Sequence, residues 1–356
     1  MFSSLFLKSF RILLFPFALL YWLGIAIRNF LYDRQILKST SFGLPLIGVG
    51  NLSVGGTGKS PMVEYLVGFL KGEYSVATLS RGYKRRTKGY ALAGDNSTAL
   101  DIGDEPMQFH LKFPDLPVAV GEERLVAIPQ LLHDRPGTEV IILDDVFQHR
   151  AIQAGLNILL TEQNNLFTRD FYLPTGDLRD LKSSYRRAQI IVVTKCKPGL
   201  TEEERRAIRK ELRILPGQEL YFTCIEYGRP YHFTSGREQA LHDRSEILLV
   251  TGIANPRPLK KMLEEGHNGY SMLQYPDHHI FTIDDWNEIL QKFREIPSAD
   301  KIILTTEKDA VRLLKFRDSA ADLPLYVIPV SHRFLFGEGP AFEQRIRTFI
   351  QQFKNK

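Results

Sequence analysis

LPLIGVGNLSVGGTGKSPMVEYLVGFLK (44–71) is the stretch that decides the fold. Its apolar start (44–50) has the run length of a buried strand, and from Met62 to about Lys71 the apolar residues recur with helical spacing. Between them lies NLSVGGTGKSP (51–61). Strand, glycine loop, Gly-Lys-Ser and helix, in that order, form the context of a phosphate-binding loop. Glycines let backbone N–H groups turn onto phosphate oxygens, and the helix N-terminus adds a partial positive charge. The loop residues Ser53, Val54, Gly55, Gly56, Thr57, Gly58, Lys59 and Ser60 are therefore the expected ATP-binding set. Lys59 is placed to reach the β- and γ-phosphates as a catalytic group, and the Ser60 hydroxyl to ligate Mg2+. In the GxxxxGK[ST] pattern, Ser53 stands where the first glycine belongs, with Gly55 and Gly56 supplying flexibility instead.

The partner of such a loop is a strand that ends in a carboxylate. EVIILDD (139–145) runs four apolar residues into Asp144 and Asp145, the expected magnesium carboxylates. Further apolar runs at 74–80, 117–120, 156–162 and 188–195 alternate with helical segments such as EERLVAIPQLL (122–132). That alternation predicts an α/β fold, a P-loop NTPase-like and mainly parallel sheet. After about residue 225 a second α/β series begins, with strands at 246–252, 270–276, 301–306 and 324–330 and a closing helix at 339–353. The polar GREQALHDRSE (236–246) reads as the connecting segment. The predicted organisation is an N-terminal membrane-associated helix (1–40), a nucleotide-binding domain (41–225) and a second, smaller α/β domain (226–356).

At 44% hydrophobic and 24% charged residues, the chain has the composition of a packed globular protein. Two cysteines, Cys196 and Cys224, exclude a disulfide framework and fit a reducing compartment. The net charge of +5 fits an anionic membrane surface, a phosphorylated substrate or simply a solvated surface. No nucleic-acid-binding motif appears, so no nucleic acid partner is expected.

Ile12 to Ile27 carries no charge, with Lys8 and Arg11 before it and Arg28 and Arg34 after it. A spanning helix needs about 20 residues, so this run is short for a span. Two readings stand: a helix dipping into one leaflet with basic flanks on headgroup phosphates, or a helix packed on the domain. Pro16 is expected to break or kink it.

For the acceptor side, GDEP (103–106) offers Asp104 and Glu105 at a loop-to-helix junction. Asp104 can be a general base for a hydroxyl or only a helix cap. Adjacent His278 and His279 lack metal-ligand spacing. Arg81, Lys84, Arg85, Arg86 and Arg124 are candidate phosphate contacts, with a solvated basic loop as the other reading for 84–86.

Taken in order, GNLSVGGTGKSP (50–61), SRGYKRR (80–86), GDEP (103–106), VGEER (120–124), LDDVFQHR (143–150), LPTGDLRD (173–180), TGIANP (251–256), YPDHH (275–279) and TTEKDAVRL (305–313) resemble the tetraacyldisaccharide 4'-kinase family, over essentially the whole chain. The resemblance implies transfer of the ATP γ-phosphate to the 4'-hydroxyl of lipid A disaccharide 1-phosphate, giving lipid IVA. It implies a magnesium requirement, a lipid-linked disaccharide substrate, a membrane surface as partner, and a location at the cytoplasmic face of the inner membrane with the N-terminal helix as anchor. It makes Asp104 the catalytic base, assisted by His278 with Asp277 beside it, and assigns Arg81, Glu105, Arg124 and Asp277 to substrate binding. The family's usual Asp-Asp-Gly is Asp144-Asp145-Val146 here, and Val146 resists positive φ. Ser60 replaces a threonine, an equivalent magnesium ligand.

Two rivals are weaker. A P-loop switch ATPase often has a lysine where Val54 stands. A GTPase would need an aspartate in VVTKCKP (192–198), where Lys197 occurs.

Overall fold

The computed structural model describes residues 11–241, 245–266 and 269–354. Helix α1 (Phe15–Asp33) carries the predicted apolar run. Pro16 opens its first turn, where a missing N–H costs nothing, instead of breaking it. Lys8, one of the flanking cations, lies outside the described residues.

The chain continues with β1 (Leu46–Asn51), α2 (Lys59–Leu70), β2 (Val76–Ser80), β3 (Ala91–Leu92), α3 (Ala99–Ile102) and α4 (Asp104–Lys112). Next come β4 (Val118–Val120), α5 (Arg124–Asp134), β5 (Val140–Asp144), β6 (Leu156–Glu162), β7 (Ile190–Thr194), α6 (Glu202–Leu212) and β8 (Glu219–Tyr227). β9 (Tyr231–His232), β10 (Glu246–Thr251), α7 (Arg257–Gly266), β11 (Tyr270–Gln274), α8 (Ile283–Glu295), β12 (Lys301–Thr306), α9 (Glu307–Leu313) and β13 (Leu325–Ile328) follow. The described chain closes with β14 (Val330–Phe334) and α10 (Gly339–Lys354).

Two sheets result. The larger has nine strands in the order β14-β8-β7-β6-β1-β5-β2-β4-β3, and the smaller has five in the order β11-β10-β12-β13-β9. β1 lies between β5 and β6 and is parallel to both, so the glycine loop and the Asp144 end of β5 emerge side by side. The expected mainly parallel α/β architecture is what the chain adopts. On one face of the larger sheet, Met62, Val63 and Leu66 of α2 pack with Phe342, Ile346 and Ile350 of α10. On the other, Ile128 and Leu131 of α5 cover Ile141 and Leu143.

The sequence-based boundary of the second domain needs correction. Residues 324–330 read as one strand, but Pro329 divides the run. A proline has no N–H to give to a ladder, so β13 ends in the smaller sheet. β14 then pairs antiparallel with β8 in the larger one, and α10 joins the larger core. The second unit is thus an insertion between β8 and β14, not the span 226–356. The two crossings lie against each other, the Gly228 N–H donating to the Pro329 carbonyl at 3.0 Å. Nor is 236–246 the connector. Its described residues belong to the second unit, where the His232 N–H donates to the Arg237 carbonyl at 2.8 Å, and 242–244 lie outside the described residues.

Candidate active site

The site begins with a glycine. Gly58 has φ 88, a left-handed conformation that lets the loop turn into α2. A side chain there would meet the His332 ring at 3.0 Å. His332 is wholly enclosed under the loop: its Nε2 lies 2.9 Å from the Gly58 carbonyl and its Nδ1 2.9 Å from Thr223 Oγ1. Burial pushes its pKa down to about 4, so the ring is neutral and serves as a fixed strut.

Lys59, first residue of α2, reaches Asn51 Oδ1 at 3.2 Å and Asp145 Oδ1 at 3.5 Å. Arg179 presents its fork to the same carboxylate, Nη1 to Oδ2 at 2.9 Å and Nη2 to Oδ1, and also reaches Asn51. Burial alone would raise the Asp145 pKa. The hydrogen bonds from Arg179 and the charge of Lys59 prevail and hold this carboxyl well below the usual range. Asp144 is its opposite. Burial, then the Asp145 charge, push its pKa up to about 7, and its Oδ1 is buried without a partner. Asn51 Nδ2 and Thr57 Oγ1 are likewise buried and unpartnered. Orphaned buried polar atoms beside a phosphate-type loop have the chemistry of a site completed by a polar ligand. Among the described residues no group of three His, Cys, Asp or Glu could hold a metal by itself. A magnesium ion takes one or two carboxylates and completes its shell with water and nucleotide oxygens, so the Asp144 oxygen and the half-buried Ser60 fit it. The positive φ of this turn, 50, falls on Asp145, while Val146 is buried against Gly48. The replacement of glycine by valine at 146 is therefore accommodated without strain.

Asp104 opens α4 just after Gly103, whose φ is 97. His278 comes from the loop after β11, and its Nδ1 lies 2.9 Å from Asp104 Oδ2. Arg312 of α9 presents Nε at 3.1 Å and Nη2 at 2.7 Å to the same oxygen. Burial would raise the Asp104 pKa, but the hydrogen bonds from His278 and Arg312 bring it down to about 2. An ionised carboxylate only accepts, so Nδ1 is assigned the hydrogen, and the Lys308 ammonium, a donor 3.2 Å from Nε2, assigns the lone pair to that nitrogen. Arg312 is fixed in turn by Asp309 at 3.2 Å. Asp309 accepts from Thr251, Thr306 and the Gly252 N–H at 2.9, 2.7 and 3.0 Å. Tyr83 stands edge-on to the His278 ring. Glu105 ties this cluster to the nucleotide side, because its charge contributes to the raised Asp144 pKa.

Other sequence expectations fare unevenly. Asp277 sits 3.7 Å from His278 Nε2, at the mouth of the cluster. Arg81 is exposed, but Arg124 is buried and turned inward. It donates to the Ser80, Gly121 and Asp144 carbonyls, tying together the ends of three strands. Arg85 is paired with Glu122 at 2.7 Å. Burial, with Arg124 and Arg81 close by, pushes the His149 pKa down to about 4. Arg179, Arg312, Lys308 and His332 had no assigned role in the sequence. The first three lie inside motifs quoted above, and the i, i+4 spacing of Lys308 and Arg312 was the available signal.

Comparison with known proteins points one way. A model of the tetraacyldisaccharide-1-P 4'-kinase family matches residues 10–351. A tetraacyldisaccharide 4'-kinase of Flavobacterium johnsoniae is 47% identical over 343 residues, 96% of this chain and 98% of the relative. One from Phocaeicola vulgatus is 41% identical, with 95% of each chain covered. The crystal structure of LpxK from Aquifex aeolicus in complex with ATP superposes with a TM-score of 0.75 at 29% identity, covering 96% of this chain and 99% of that one.

Proposed function

Since the chain belongs to the tetraacyldisaccharide-1-P 4'-kinase family, whose reaction phosphorylates the 4'-position of a lipid A disaccharide, we propose that it carries out this step of lipid A biosynthesis with the two clusters described above. ATP is the donor, its phosphates on the loop Ser53–Ser60 with Lys59 at the transferring end. Mg2+ would be held by Ser60 and Asp144, where it supplies charge neutralisation of the phosphates. Asp145, gripped by Arg179, positions Lys59 and adds its charge to the metal site.

On the acceptor side the 4'-hydroxyl gives its proton to His278 Nε2. The hydroxyl oxygen attacks the γ-phosphorus, the bond to the β-phosphate oxygen breaks, and ADP leaves. Asp104 holds the imidazole in the required tautomer and favours the imidazolium that forms. This reverses the roles expected from the sequence, because a carboxylate with a pKa of about 2 is a weak base near neutral pH. Glu105 and Asp277 line the sugar pocket, and Arg81 is available to the 1-phosphate. Arg124 acts from inside the fold.

One observation carries the reading: Asp104 and His278, 174 positions apart and on different units, meet at 2.9 Å. Incubating the enzyme with γ-labelled ATP and detergent-dispersed tetraacyldisaccharide 1-phosphate, then locating the label, tests it. Label at the 4'-position is expected. Lipid-indifferent release of phosphate would favour the switch ATPase.

The N-terminal helix belongs to the same proposal. The uncharged run 12–27 is short for a span, but the helix that continues it, α1, is by length and composition long and apolar enough to cross a membrane, and only 11% of its apolar window is buried. Phe17, Leu20 and Phe30 are exposed. A polar stripe docks it beside the nucleotide site, Asn29 donating to Asp180 at 2.8 Å and Arg28 to the Gln148 carbonyl at 2.8 Å. We place the enzyme at the cytoplasmic face of the inner membrane, with α1 in the lipid and the acceptor pocket at the headgroup level.

A further inference from the structure

α9 brings two cations to the acceptor cluster one turn apart. Arg312 is spent on Asp104. Lys308 has a different target. Its Nζ lies 3.2 Å from His278 Nε2, the atom assigned above to receive the proton. The ammonium stands between Glu105 and Asp277, 3.6 Å from each carboxylate, and is 25% exposed. It can only donate, so it caps the Nε2 lone pair. A substrate hydroxyl needs that same lone pair at about 3 Å. Hydroxyl and ammonium thus compete for one site, and the displaced ammonium stays within one side-chain rotation of the attacking oxygen. The phosphoryl group being transferred must also be within bonding reach of that oxygen, and its three equatorial oxygens carry the spread charge.

We propose that Lys308 is a catalytic residue: the 4'-hydroxyl displaces its ammonium from His278 Nε2, and the ammonium then donates to an oxygen of the transferring γ-phosphoryl group. No proton leaves Lys308 in this step. The hydroxyl proton goes to Nε2, the new P–O bond forms at the hydroxyl oxygen, and ADP departs. The carboxylates of Glu105 and Asp277 hold the ammonium in place before the phosphates arrive. An imidazolium beside an ammonium is unfavourable, so the departure of Lys308 toward phosphate also clears the way for His278 to take its proton.

The inference rests on His278 as the base, and the test separates the two. Lys308→Met, Lys308→Cys and His278→Ala are assayed beside the parent for kcat, KM for ATP and thermal midpoint. Removing a preorganised donor from a developing charge costs on the order of 10²-fold. Lys308→Met is expected to lose about that factor in kcat, with KM for ATP and thermal midpoint unchanged. Lys308→Cys is expected to be as poor, and to regain most of its turnover when 2-bromoethylamine converts the cysteine to an aminoethyl thioether. Cys196 and Cys224 are both buried, so the reagent addresses the new thiol. If His278→Ala is inactive while Lys308→Met keeps kcat within about threefold of the parent, Lys308 is not catalytic and the base stands. If both keep it, the base assignment falls and this inference with it. Failure of aminoethylation to restore a folded, inactive Lys308→Cys protein would also overturn it.

Discussion

Two aspartates in this molecule are gripped in nearly the same way, and the difference lies in who grips them. Asp145 takes the fork of Arg179 and the nearby Lys59, all within the larger unit, its arginine only 34 positions away. Asp104 takes the fork of Arg312 and the ring of His278, both from the inserted unit, with the arginine 208 positions away. The donor half of the site is therefore a property of one folded body. The acceptor half exists only while two bodies are docked. A partly exposed lysine between two buried carboxylates supports that docking: Lys112 of α4 reaches Glu64 of the P-loop helix at 2.6 Å and Glu307 of α9 at 2.8 Å. Glu307 also accepts from the Val330 N–H at 3.1 Å, at the return crossing. The phosphate-binding residues thus meet within one body, whereas the base and its partners meet only across two.

If the donor half is self-contained, its loss should be nearly pure loss of chemistry. Lys59→Ala is expected to lower kcat by about 10³-fold with the thermal midpoint held, since it removes charge stabilisation without opening the core. A folded variant with near-parental turnover would break the comparison at its root.

The acceptor half should behave as one unit. Asp104→Ala and His278→Ala are each expected to cost at least ~10²-fold in kcat. The double variant should lose little more than the worse single, because residues that act together are not additive. Strictly multiplicative losses would separate the pair.

A third test strikes the docking. Lys112→Met leaves Glu64 and Glu307 facing each other in a buried seam. Burial, together with the Glu307 charge, already raises the Glu64 pKa to about 7 despite Lys112. Removing one partner of a buried pair is costly, and because Lys112 is partly exposed we expect about 2 kcal/mol by urea denaturation. kcat should fall more than ATP affinity does. Equal falls in both would mean that the two halves are not assembled separately.

The smallest effect belongs to the strut beneath the loop. His332→Phe is expected to weaken ATP binding about fivefold, the worth of about one net hydrogen bond, with kcat at saturating ATP little changed. Unaltered ATP affinity in a folded variant would mean that the loop holds its shape without the ring.

What the sequence disclosed follows the same division. Residues 53–60 and the run into Asp144 are local patterns, and local patterns are what periodicity and spacing report. GDEP by itself left Asp104 as base or helix cap, and its pairing with His278 came through resemblance, since nothing local links position 104 to 278. Arg179 and Arg312 escaped assignment because a guanidinium reaches its partner through the fold, not along the chain. Arg124 lay in a matched motif, but its motif could not tell an outward side chain from one turned onto three strand ends. The second-domain boundary failed for a related reason. An apolar run looks alike in either sheet, and only Pro329 marked where one ladder stopped. The stiffness of Val146 was a sound concern placed one residue late, since the turn asks positive φ of Asp145.

The strut also bears on how the protein is made. Gly58 is translated early, yet the ring that supports it lies 274 positions later. Chains grow from the N-terminus, and domains generally fold as they emerge. Here the larger unit cannot close until the inserted one has been synthesised, because its edge strand β14 and covering helix α10 follow that unit in the chain. A chain cut short anywhere between residues 61 and 330 would carry every residue of the phosphate-binding motif and still lack its floor. The nucleotide site is in this sense completed during translation only after the whole inserted unit has been read.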